Sequence, residues 1–158
     1  ARPLLRHHVG NRDELLTRAV ERFVRRSDES MRQLEAAVPE GATGAYLLEL
    51  ILPIRKTGRA AQQSADANDI LIASAFIYAA QDHPELKRAM QAWLKSFFKS
   101  FVAALRVIYP RAEESALRCA ATGIIGIWFN VDSLASLGAN RQLREDSRRA
   151  ASLLLKDL

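Results

Sequence analysis

Basic side chains are concentrated at the N-terminus of this chain of 158 residues. Residues 1–26 contain seven arginines and three carboxylates, a net charge of +4, whereas the rest of the chain supplies only +1 of the total of +5. Guanidinium groups match the geometry of phosphate oxygens, so this asymmetry predicts a polyanionic partner at the N-terminal end. The alternative is a solvated helix face, because arginine is also a good helix former.

Motifs for enzymatic or metal chemistry are not found in the sequence. It has no Gly-rich phosphate loop and none of the HExxH, ExxH or GxSxG patterns. The single cysteine, Cys119, cannot close an internal disulfide, and its place beside an apolar run predicts a buried, inert thiol. His83 precedes Pro84, a context that favours helix capping over metal ligation. We therefore expect a protein of a reducing, cytoplasmic compartment that is not an enzyme and uses no metal or cofactor.

An apolar ligand pocket is the second kind of site that the sequence supports. Its aromatic side chains are numerous enough to line a cavity between helices and to bind a small, largely apolar molecule. The candidates are Phe76, Tyr78, Trp93, Phe97, Phe101 and Trp128, with Phe129 beside them. Arg55, Tyr78 and Asn130 are available as polar anchors. For each ring taken singly, ordinary core packing is the alternative.

Helical periodicity runs along almost the whole chain and predicts an all-α fold. Asn11 followed by Glu14 predicts an N-cap with a capping box, and the helix that it opens extends to about residue 37. The clearest apolar stripe begins after Pro84, which is expected at the first position of its helix. The other predicted elements are a helix at about 42–59 with a kink or break at Pro53, a loop at 62–68, and helices at about 69–81, 111–137 and 141–158.

The segment 120–131 is apolar on nearly every side, which predicts cover on both of its faces. A second copy of the chain would supply that cover, through a four-helix interface built from the helices at about 111–137 and 140–158. Gly123 and Gly126 would permit close helix approach there. The expected interface residues are Ile124, Ile127, Trp128, Val131, Leu143, Ala150 and Leu154. No apolar stretch reaches the roughly 20 residues of a membrane span, so no membrane partner is expected.

The run Arg2-Pro3-Leu4-Leu5-Arg6-His7-His8-Val9-Gly10-Asn11-Arg12-Asp13-Glu14-Leu15-Leu16 resembles the end of the DNA-binding segment of the tetracycline-repressor (TetR) family of transcriptional regulators. Leu4 and Arg6 depart from the family pattern, which has Thr and Tyr there. The resemblance implies phosphate contacts from Arg6, His8 and Arg12 and base contacts from Arg2 and His7. For His8, a ring packed between the recognition and connector helices is the alternative.

The resemblance implies a helical-bundle ligand-binding and dimerisation domain at 27–158, preceded at 1–26 by the end of a helix-turn-helix DNA-binding domain. About forty residues of that domain are expected to lie outside this chain. The implied protein is a ligand-responsive regulator, most simply a repressor, that binds double-stranded operator DNA as a homodimer and is released by a small-molecule effector. The alternative is a helical small-molecule sensor or dimerisation module that does not bind DNA.

Overall fold

The computed structural model describes residues 11–54, 64–135, 137–138 and 141–158, and these residues form helices without any strand. The all-α prediction is therefore confirmed. In chain order the helices are α1 (Arg12–Ala37), α2 (Gly44–Ile51), α3 (Ser64–Ala79), α4 (Pro84–Ile108), α5 (Glu114–Ala135) and α6 (Arg141–Leu154).

The first helix has the predicted bounds and the predicted cap. The side chain of Asn11 accepts hydrogen bonds from the amides of Asp13 (3.0 Å) and Glu14 (2.9 Å), and the Glu14 carboxylate accepts one from the Asn11 amide at 3.1 Å. The capping box satisfies amides that have no partner within the helix, while both acids face the positive end of its dipole. The chain turns away after α1 at Gly41, whose φ of 79° favours glycine.

The break expected at Pro53 is present, because α2 ends at Ile51, two residues before this proline. Proline supplies no amide hydrogen and disfavours a helical conformation in the residue before it. The loop expected at 62–68 is wrong from residue 64 onward, where α3 has begun. Ser, Asp and Asn are common in a first helical turn as well as in loops, and the prediction took them for a loop.

Helix α4 is the centre of the fold and packs against α1, α3 and α5, while α6 packs against α5 and α2. Its predicted apolar stripe is buried at every turn, from Leu86 through Trp93 and Phe101 to Leu105. Each such side chain contributes about 1.5–3 kcal/mol by its removal from water. On α1 the buried positions include Phe23 and Met31, and the helix continues unbroken past residue 26, where the two predicted domains meet.

Candidate functional site

Seven aromatic rings from four helices contact one another, and we call them the aromatic cluster. Its members are Phe23 of α1, Phe76 of α3, Trp93, Phe97 and Phe101 of α4, and Trp128 and Phe129 of α5. The ring centroids of Phe23 and Trp93 are 5.2 Å apart, and those of Trp93 and Phe97 are 5.7 Å apart. These separations lie in the range that aromatic pairs prefer. The cluster therefore connects α1 to α5 through α4 without a break.

Hydrogen bonds fix α1 on α4 beside the cluster. The indole Nε1 of Trp93 donates to the Oγ of Ser27 at 2.8 Å. One turn further along α4, the hydroxyl of Ser96 donates to Oδ1 of Asp28 at 3.3 Å. A buried indole N–H needs such an acceptor, since an unpaired one would lose its hydrogen bonds to water. The register of α1 along α4 is thus set by polar and by aromatic contacts together.

Five of the six predicted pocket residues are brought together in the aromatic cluster, and Tyr78 is not. Tyr78 is 75% exposed and makes none of the ring contacts of the cluster. Phe23 is a member that the sequence prediction missed. Phe23 is the single aromatic residue of α1 and gives no sign of which other helix it will face, so only the packing of α1 on α4 identifies it. Whether a ligand enters among these rings stays a prediction.

A groove separate from the aromatic cluster lies between the N-terminal end of α2, the residue after α4, and α6. It has a volume of about 490 Å³. Its lining residues are Gly44, Ala45, Leu48, Ile54, Tyr109, Glu145, Arg148, Arg149, Ser152, Leu155 and Lys156. Burial raises the pKa of the Tyr109 hydroxyl, and a hydrogen bond with the backbone of Gly44 opposes that rise in part. The groove has both apolar and cationic walls, and none of its lining residues was predicted to bind a ligand.

Of the predicted DNA-contacting residues, the structure describes only Arg12, the exposed first residue of α1. Arg2, Arg6, His7 and His8 lie outside the described residues. Further along α1, the exposed arginines include Arg18, Arg22 and Arg25, which helical spacing places on one face. Arg12 and these three form no ion pair with any described residue.

The predicted dimer-interface residues separate into buried and accessible ones. Ile124 and Val131 are fully buried inside the single chain, so their side chains are not available to a partner. Ile127, Trp128 and Leu143 are half-buried, and Ala150 and Leu154 are exposed. Because α4 and α6 both pack on α5, the apolar surface of α5 can be covered within one chain. A partner chain could therefore contact only the outer residues.

The two glycines of α5 differ in their surroundings. A Cβ on Gly123 would lie 2.5 Å from Cδ1 of Leu154, so this glycine permits the close approach of α6, as predicted. A Cβ on Gly126 would meet nothing within 4 Å among the described residues, so no helix of the same chain approaches it closely. Gly126 lies on the outer face of α5 with Cys119 and Thr122.

The two isolated candidates for chemistry have different surroundings from those expected. Cys119 is exposed, so the prediction of a buried thiol is wrong. Cys119 lies between Leu117 and Ala120, which face the core. The rotation of the helix from one residue to the next places the side chain of Cys119 on the outer face. His83 occupies the N-cap of α4 but makes no capping hydrogen bond through its side chain, and its Nδ1 lies 3.6 Å from Oε1 of Glu85. Across the part of the chain that the structure describes, no three His, Cys, Asp or Glu side chains are grouped so as to hold a metal ion.

The described part of the N-terminal resemblance covers only residues 11–16, which contain the capping box and the first turn of α1. None of the described helices is long and apolar enough to cross a membrane. Comparisons of the chain with protein-family models, with curated proteins and with solved structures find no match.

Proposed function

We propose that this chain is the effector-binding and dimerisation part of a transcriptional regulator similar to the TetR family. It binds operator DNA as a homodimer and is released when a small, largely apolar effector binds. The observation that carries the proposal is the position of α1. Its N-terminal end continues from the arginine-rich segment that resembles a DNA-binding motif, and its middle contributes Phe23 to the aromatic cluster.

The position of α1 links ligand binding in the aromatic cluster to DNA binding at the N-terminal end of the same helix. A molecule that enters among the rings must displace some of their contacts, including those of Phe23 with Phe76 and Trp93. The indole of Trp93 also donates a hydrogen bond to Ser27 of α1, so a shift of the indole moves α1 as a whole. This movement changes the distance between the two DNA-binding ends in a dimer. Allosteric coupling of this kind is typically about 1–3 kcal/mol, enough to lower operator affinity roughly fivefold to 150-fold.

DNA binding is tested by gel shifts of the full-length gene product on the DNA upstream of its own gene. Binding should weaken steeply with salt, because each neutralised phosphate releases counterions. Arg12→Gln should reduce the logarithmic salt slope by about 1 per chain if Arg12 contacts a phosphate. Arg32→Gln, at the other end of α1, is the matched control and should leave the slope unchanged. Absent or salt-independent binding would contradict the proposal and favour a sensor without DNA contact.

Effector binding has an optical readout, since Trp93 and Trp128, the two tryptophans of the chain, both belong to the aromatic cluster. A hydrophobic effector should shift their emission and release operator DNA over the same concentration range. Ser27→Ala should weaken the link between these two effects, so that the emission still shifts while DNA release requires more effector. Ser30→Ala, on the same helix and without a hydrogen bond to α4, is the control.

Homodimerisation is proposed through the outer faces of α5 and α6. Leu153 and Leu154 are exposed there beside Ala150, and α5 presents Thr122 and Gly126. Such a surface of small and apolar residues allows close packing against a second copy. Gly126→Arg should convert the dimer to a monomer in sedimentation experiments. Ala36→Arg, at an exposed position of α1, should leave the dimer intact. A wild-type chain that is monomeric at micromolar concentration would contradict this interface.

A further inference from the structure

The groove between α2 and α6 combines an apolar floor with a cationic rim. Leu48, Ile54 and Leu155 form the apolar part of its lining. Arg149 of α6 and Lys156, which lies two residues beyond the end of that helix, also line it. Its volume of about 490 Å³ lies within the range typical of small-molecule sites.

Ion pairs leave an excess of positive charge in the groove. Arg148 is paired with Glu49, which fastens α6 to α2. Glu145 is paired with Arg141, from whose Nε it accepts a hydrogen bond at 2.6 Å. Among the described residues neither Arg149 nor Lys156 has a carboxylate partner. The groove therefore holds two uncompensated cations beside apolar surface.

A polar group at the inner wall adds a hydrogen-bond donor. The Tyr109 hydroxyl lies beside the backbone of Gly44, and burial raises its pKa. Gly44 has no side chain that could cover this wall. A Cβ at this position would collide with the same hydroxyl and would lie 2.7 Å from Cδ1 of Leu155. The hydroxyl, the cations and the apolar floor thus border one open space.

We propose that the groove binds an amphipathic carboxylate, with its apolar chain on the floor and its carboxylate between Arg149 and Lys156. A bare anion would leave the apolar floor exposed to water, and an uncharged lipid would leave both cations unpaired. The groove shares no lining residue with the aromatic cluster, so this ligand site is separate from the proposed effector site. The inference does not rest on DNA binding.

Calorimetric titration with decanoate, below its micelle concentration, tests the inference. We expect saturable binding of one decanoate per chain, with decanol and inorganic phosphate each binding at least tenfold more weakly. Arg149→Gln and Lys156→Gln should each weaken decanoate binding about tenfold, because each removes one charge-assisted contact. Arg144→Gln, on α6 but outside the groove lining, is the matched control and should bind like the wild type.

Blocking the groove gives a second, independent measurement. Ala45 is exposed and lines the groove, so Ala45→Trp should abolish decanoate binding without altering the thermal unfolding midpoint greatly. Binding that survives this change and both charge substitutions would overturn the inference. Phosphate binding as tight as that of decanoate would also overturn it. A decanoate-induced shift of tryptophan emission that persists in Arg149→Gln would place the ligand in the aromatic cluster instead.

Discussion

The indole nitrogen of Trp93 donates a 2.8 Å hydrogen bond to the hydroxyl of Ser27, across 66 positions of sequence. Ser27 lies one helical turn beyond Phe23, whose ring packs against the same indole at 5.2 Å. One side chain of α4 therefore makes both a directional and an apolar contact with α1. The position of α1 depends on this pair of contacts more than on any exposed ion pair along the helix.

Removing the acceptor should destabilise the fold. Ser27→Ala leaves the buried indole N–H without a partner, and we expect a loss of about 1–3 kcal/mol in the free energy of unfolding. Chemical denaturation followed by circular dichroism measures this loss. Ser30→Ala, on the same helix and without such a bond, should stay within about 0.5 kcal/mol of the wild type. Equal losses in the two variants would show that the hydrogen bond is not important.

The ring of Phe23 should contribute more than that of a phenylalanine outside the aromatic cluster. Phe23→Ala removes contacts with both Phe76 and Trp93 and leaves a cavity, so we expect a loss of about 3–5 kcal/mol. Phe98 is half-buried and makes none of the ring contacts of the cluster, so Phe98→Ala should cost clearly less. Denaturant midpoints of the two variants provide the comparison. A larger loss in Phe98→Ala would contradict the assignment of the cluster as the core link to α1.

Glycine-to-alanine substitutions should have opposite effects at two helical positions. At Gly44 the new methyl group would collide with Tyr109 and Leu155, and we expect a loss of about 1–3 kcal/mol from overpacking. At Gly126 nothing lies within 4 Å, so Gly126→Ala should stabilise the monomer by up to about 1 kcal/mol through its better helix propensity. Thermal unfolding of dilute protein measures both. A stabilised Gly44→Ala variant would be inconsistent with the packing of α2.

The ion pair between Arg26 and Asp69 predicts a pH-dependent mutant effect. Burial raises the pKa of Asp69, and Arg26, whose Nη2 lies 3.1 Å from Oδ2, opposes that rise. Since the folded-state pKa is raised, ionisation of Asp69 costs stability as the pH rises through that value, and the cost is absent in acid. Arg26→Gln removes the opposing charge and should lose about 0.5–1 kcal/mol at neutral pH.

The loss in Arg26→Gln should shrink as the pH falls and Asp69 becomes protonated, because a neutral carboxyl needs no cation beside it. Denaturant titrations of wild type and variant at neutral and acid pH measure the difference. Arg22→Gln, on the same helix but without an ion pair to a described residue, is the control. A loss independent of pH would exclude the ion pair as its cause.

The exposed thiol of Cys119 should react with maleimide in the native protein, without denaturant. The reaction rate should approach that of the unfolded chain when the protein is dilute. If a second copy covers the outer face of α5, the rate should fall as protein concentration rises through the dimerisation range. Gly126→Arg should abolish this protection. A native thiol that never reacts would contradict its exposed position.

The local features of this protein are determined by its sequence alone. Asn11 and Glu14 specify the start of α1, Pro84 specifies the start of α4, and the apolar spacing along α4 specifies its buried face. Each of these features depends on residues within one or two helical turns, so local hydrogen bonding and periodicity are enough to predict them.

Only the tertiary structure decided which faces meet. It turned Cys119 outward and buried Ile124 and Val131 within one chain, although all three lie in or beside the same apolar run. It also joined Phe23 to Trp93, and it placed Gly44 beside Tyr109. These pairs are far apart in sequence, and their contacts depend on how whole helices cross one another. Periodicity shows that a helix has an apolar face, but not which neighbour covers that face.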